Sequence, residues 1–157
     1  MSIGKNVLHA IGNTSLVPLR KVVPPGCANV LVKLEWENPT GSMKDRTAQA
    51  MISKAEEDGR LKPGDTIVEY TGGSTGISLA LICVAKGYRL HIVTSDAFSQ
   101  DKLNQMTAFG AELTLIPPRF MVSSARPWCR KYPPPSRSIW SPCRRSRQPP
   151  GPLGVSA

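Results

Sequence analysis

At 157 residues the chain is long enough for one domain with its own core, and its formal charge of +9 belongs to one end of it. Residues 1–116 hold 12 Lys/Arg against 11 Asp/Glu, whereas residues 117–157 hold eight Lys/Arg, no acidic residue and ten of the 15 prolines, so the whole-chain charge does not mark a nucleic-acid or membrane binder. Cys27, Cys83, Cys129 and Cys143 form no C-x-x-C pair and have no His at zinc-ligand spacing, which excludes a tetrahedral metal site; the absence of an apolar leader or a long apolar span predicts a protein of the reducing cytoplasm.

After an irregular start, Val30 to Trp36 reads as a strand closed by Asn38-Pro39. A helix is predicted to follow, capped by Thr40 or Ser42, with Ala48, Met51, Ile52 and Ala55 at helical spacing and Gly59 at its left-handed end. That plan repeats. Thr66 to Tyr70 is predicted as a strand, Thr75 to Lys86 as an apolar helix stopped by Gly87, Arg89 to Thr94 as a strand and Gln100 to Phe109 as a helix capped by Ser95 or Ser99, with Glu112 to Ile116 as a last strand. Cys83 lies in the apolar run and is expected to pack as a small hydrophobe.

Alternating strands and helices with short connections predict the open α/β class, a parallel sheet with flanking helices. Ligands of that class gather where strands end and helices begin. Beyond Ile116 the pattern stops, and residues 117–157, with Pro133-Pro134-Pro135 and Arg144-Arg145-Ser146-Arg147, read as a disordered Pro/Arg/Ser-rich tail.

Two loops carry chemistry. The first, Asn38 to Arg46, sets Lys44 in the first turn of a helix, where the partial positive charge of the helix start disfavours the ammonium form. A neutral amine is what a Schiff base with an aldehyde requires, although a solvated surface lysine has the same sequence signature. In the second, Thr71-Gly72-Gly73-Ser74-Thr75-Gly76, the glycines let backbone approach a ligand while Ser74, Thr75 and free N–H groups converge on an anion. It is neither a G-x-x-x-x-G-K-[ST] phosphate loop nor a G-x-G-x-x-G dinucleotide loop, and a glycine-rich turn that binds nothing is the plain alternative.

With Ile11-Gly12-Asn13-Thr14-Ser15-Leu16, Asn38 to Arg46 and Thr71 to Gly76 in that order, the chain resembles the cysteine synthase and cystathionine β-synthase family of fold-type II pyridoxal-phosphate enzymes over about residues 3–116. The resemblance implies pyridoxal 5′-phosphate as cofactor and Lys44 as the residue that bonds it and later moves the substrate's α-proton. It implies that Thr71, Gly72, Gly73, Ser74 and Thr75 hold the α-carboxylate of an amino-acid substrate, with Ser74 also at the cofactor's 3′ oxygen. The implied reaction is β-replacement on O-acetylserine or a similar activated serine, with cystathionine synthesis the near alternative, a dehydratase a more distant one, and a homodimer the usual assembly.

Three positions depart from the family pattern: Gly72 stands for serine, Ser74 for asparagine and Ser15 for proline. Altered substrate preference is the expectation, since backbone N–H groups still serve a carboxylate. The family's G-T-G-G-T phosphate cup has no counterpart in the sequence, so residues 1–116 are expected to form only the N-terminal part of the enzyme, inactive alone. Residues 117–157 then read as out-of-frame or fused sequence. A different reading makes the chain a non-catalytic fragment whose tail, with Trp128, Tyr132 and Trp140 among its cations, binds polyanions.

Overall fold

The computed structural model describes residues 6–117, and the predicted tail from residue 118 onward lies outside the described residues. Three parallel strands form the centre: β3 (Thr66–Tyr70), β4 (Arg89–Ser95) and β5 (Glu112–Ile116), in the order β3-β4-β5, with Ile67 beside Leu90 and Ile92 beside Leu113. Helices α2 (Ser74–Lys86) and α3 (Gln100–Ala108) make the two crossovers, and α1 (Lys44–Glu57) packs on α2. This is the expected α/β architecture, and the elements from α1 to β5 lie within two residues of their predicted bounds.

Sequence chemistry accounts for these boundaries. Gly87 adopts φ +77° and ends α2, with the Tyr88 N–H donating to the Cys83 carbonyl at 2.9 Å. Alternation along the strands sends Ile67, Leu90 and Ile92 into the core, where they meet Leu79, Ile82 and Met106 from the helices; Ala48, Ile52 and Ala55 seal α1 onto the same core. Cys83 is buried as predicted, and burial pushes its thiol up to about 12.

The N-terminal part departs from prediction. The strand expected over residues 30–36 is only β2 (Leu31–Lys33), and it pairs antiparallel with β1 (Leu16–Pro18) in a separate two-stranded sheet. Residues Glu35–Glu37 turn as a short 3₁₀ helix. The reason lies in Glu35, whose carboxylate serves Arg46, Thr14 and Asn38; continued extension would carry it away from those partners. The first loop therefore leaves a turn, not the end of a sheet strand.

Helices α1 and α2 run side by side in the same direction, joined near both ends. At the start, the Ser78 hydroxyl donates to Asp45 Oδ1 at 2.5 Å; at the end, Glu56 accepts from Lys86 Nζ at 2.5 Å and from the Tyr88 hydroxyl at 2.8 Å. Both helix starts, and with them both predicted loops, are thereby brought together. Among the described residues no helix is long and apolar enough to cross a membrane.

Candidate active site

A polar network fixes the approach to Lys44. Arg46 lays its guanidinium fork on Glu35, Nε to Oε2 at 2.9 Å and Nη2 to Oε1 at 3.1 Å. The Thr14 hydroxyl donates to Glu35 Oε1 at 2.7 Å and accepts from Arg46 Nη2 at 3.0 Å. Asn38, buried, donates through Nδ2 to the Glu35 carbonyl and to Oε2, and its Oδ1 accepts the Gly12 N–H at 2.9 Å. Gly12 (φ +89°) and Asn13 (φ +48°) turn the chain in the left-handed region, and a Cβ on Gly12 would stand 3.0 Å from Arg46 Nη1.

The Arg46 hydrogen bond above all, then that from Thr14, holds the Glu35 carboxyl down to about 2 from its ordinary 4.5. Because the folded value is the lower one, the stabilisation from ionised Glu35 is complete above about pH 4.5 and is lost as pH falls toward 2. The melting temperature of Glu35→Gln is therefore expected to lie below wild type at neutral pH, with the gap closing across that acid window. Thermal melts of both chains at matched pH check this; a gap independent of pH would sink it.

Lys44 is the first residue of α1, half-buried, and its backbone N–H donates to Ser42 Oγ at 3.1 Å. The cap position falls to Met43, with no side-chain cap bond, so neither predicted residue fills it: Ser42 only receives the Lys44 N–H, and Thr40 turns to Asp45, giving that carboxylate its N–H at 2.8 Å and its hydroxyl. Among the described residues Lys44 Nζ pairs with no carboxylate. Asp45 is fully buried, and its bond to Ser78 ties the lysine's helix start to α2, where Ser78 Oγ also lies 2.9 Å from the Ser74 carbonyl.

The second loop follows β3. The Thr71 N–H donates to the Val93 carbonyl at 3.2 Å, carrying the ladder one residue past the strand, and Gly73 precedes α2 as its cap. Thr71, Gly72, Gly73, Ser74 and Thr75 are all half-buried. Ser74 and Thr75 stand in the first turn of α2, where unpaired N–H groups favour an anion. At the end of the central strand, Thr94 Oγ1 is buried with no hydrogen-bond partner among the described residues. A half-buried lysine that pairs with no carboxylate among the described residues, a glycine loop at a helix start and an orphaned buried hydroxyl fit the lysine and substrate sides of a pyridoxal-phosphate site.

Sequence reading put weight on Lys44 and Ser74 and assigned no role to Asp45, Ser78, Glu35 or Thr14. Asp45 next to a helical lysine was the available signal, because a carboxylate in a first turn is either solvated or an acceptor for neighbouring donors. Here it is the acceptor. The expectation of a polyanion-binding tail concerns residues outside those described.

The chain belongs to the pyridoxal-phosphate-dependent enzyme family, whose model matches residues 7–132. It is similar to cysteine synthase from Staphylococcus aureus, 54% identical over 112 residues that cover 71% of this chain and 36% of that protein. Among solved structures it matches cysteine synthase from Entamoeba histolytica (TM-score 0.77, 36% identity, 87% of this chain and 42% of that one) and an O-ureido-L-serine synthase (TM-score 0.76, 38% identity, 84% and 43%). The chain thus spans less than half the length of the relatives it matches.

Proposed function

We propose that this chain supplies the lysine and substrate-carboxylate side of a cysteine synthase-like site, acting in β-replacement on O-acetylserine or a similar activated serine in the cytoplasm. The observation that carries the reading is the Asp45–Ser78 joint, which sets the Lys44 helix start beside the helix that begins at Ser74. Likeness to cysteine synthases supports a cysteine-forming reaction, and likeness to an O-ureido-L-serine synthase supports a serine-derived amino acid at the site.

In this reading Lys44 and Ser74 would hold pyridoxal 5′-phosphate, Lys44 through its amine and Ser74 through its hydroxyl, and Thr71, Gly72, Gly73, Ser74 and Thr75 would grip the substrate carboxylate. When bound, the cofactor supplies an electron sink for charge at the substrate's α-carbon. Lys44, on a rigid helix start, would take the α-proton at Nζ after the substrate's amine has displaced it and left Nζ a free amine. The loop orients the substrate through backbone N–H groups that need no reorganisation.

The test is a titration of the full chain with pyridoxal phosphate, following the visible absorbance band of the lysine-bound form. A saturable band that responds to O-acetylserine and disappears in Lys44→Ala is expected under this reading. A band of equal size in Lys44→Ala would refute the role of Lys44. No band in either chain would leave the expectation of an inactive chain standing and remove the proposed activity from this polypeptide.

A further inference from the structure

Because β3 and β4 are adjacent and parallel, the segment after β4 folds beside the 71–75 loop. It turns sharply: the Phe98 N–H donates to the Ser95 carbonyl at 3.2 Å and the Ala97 N–H to Ser95 Oγ at 3.2 Å. The turn presses the tip of the half-buried Phe98 ring onto Gly72. A Cβ at Gly72 would stand 2.0 Å from Cζ, 2.2 Å from Cε1 and 2.3 Å from Cε2 of that ring, so residue 72 carries no side chain while Phe98 keeps this position. In the first turn of α3, Lys102 brings Nζ to 3.4 Å from a Cβ at Gly73, and it forms no ion pair among the described residues.

We infer that Phe98 and Lys102 are substrate-selecting residues of this site, Phe98 as the wall that replaces a side chain at position 72 and Lys102 as a cationic donor to the substrate carboxylate. The inference rests on the loop being the carboxylate cradle. Gly72 offers no side-chain donor, so a free carboxylate is told from its neutral derivatives by the loop's remaining hydroxyl and backbone N–H donors together with the flexible ammonium of Lys102, which reaches the loop. An ammonium gives a carboxylate a stronger, charge-assisted hydrogen bond and gives an amide no charge to pair with. The ring in turn ties the shape of the loop to the segment after β4, so residues 72 and 98 act as a steric pair.

The experiment measures binding of L-serine and L-serinamide to the full chain by saturation-transfer NMR, with thermal melts of every variant. Wild type is expected to prefer L-serine; Lys102→Gln should lose about tenfold of that preference, and Lys102→Arg should keep most of it. Gly72→Ser should lose L-serine binding, or its melting transition where the clash unfolds it, and Gly72→Ser/Phe98→Ala should regain what the single variant lost. Unchanged preference in Lys102→Gln, or a Gly72→Ser chain that behaves as wild type or is not relieved by Phe98→Ala, overturns the inference alone. No L-serine binding by wild type overturns the carboxylate cradle and the inference together, while the Lys44-dependent absorbance band reports separately on the lysine.

Discussion

Asp45→Ala is expected to cost about 3–4 kcal/mol of stability and to abolish the Lys44-dependent absorbance band while leaving Lys44 itself in place. The carboxylate is fully buried and accepts three hydrogen bonds, from the Thr40 N–H at 2.8 Å, the Thr40 hydroxyl and the Ser78 hydroxyl at 2.5 Å. Bonds to a charged acceptor contribute about 1.5–3 kcal/mol each, and truncation strands donors that have no water nearby. The Ser78 hydroxyl has the Ser74 carbonyl at 2.9 Å as a second acceptor, which limits the loss. Asp45→Asn is a poor rescue, since its NH₂ would face one of the donors. Denaturant unfolding gives the midpoint shift, and titration with pyridoxal phosphate gives the band. A variant that unfolds at the wild-type midpoint would show that the cluster holds nothing together.

Gly76→Ala is expected to destabilise by roughly 2 kcal/mol and to weaken amino-acid binding, although alanine is the better helix former by about 1 kcal/mol. The new methyl would stand 2.7 Å from Met106 Sδ, 2.7 Å from Thr71 Cγ2 and 3.1 Å from Ile92 Cδ1, in a fully packed region. Met106 is flexible but buried, so its thioether has little room to withdraw. Thr71 is short and sits at the head of the 71–75 loop, hence relief on that side moves the loop. Paired melts and L-serine titrations of wild type and Gly76→Ala measure the two effects. Improved stability with unchanged binding would mean that the helix can shift as a body, contrary to the close packing found around it.

The α/β core was legible because its signals are local. Thr66 to Tyr70 and Arg89 to Ser95 are rich in branched and apolar residues, Gly59, Gly87 and Gly110 stand just past helices in the left-handed region, and α2 is apolar along its length. The N-terminal part was read less well because its organisation comes from side chains far apart in sequence. Nothing between residues 30 and 37 announces that Glu35 serves Thr14 and Arg46, and that obligation, more than strand propensity, decides where the chain turns. Lys44 and the 71–75 loop were recognisable as candidates from residue type and place. Their joining through Asp45 and Ser78 was not, since a carboxylate and a hydroxyl 33 residues apart carry no periodic signal.

Segment 6–43 has Leu8 as its only buried hydrophobic among the described residues, with Thr14 and Asn38 as its buried polar residues. It adheres to the molecule through the Glu35–Arg46 network, the Thr40–Asp45 bonds and Leu8 in the core, its β1–β2 ribbon being internal to the segment, whereas β3 to β5 are held by a backbone ladder around an apolar core. The two parts therefore differ in what opens them. Salt and acid act on the first, while denaturants that solvate apolar surface act on the second. Lys44 lies at the seam, which makes occupancy of the site a reporter of local opening, lost under conditions where the helical signal and the buried core are still intact.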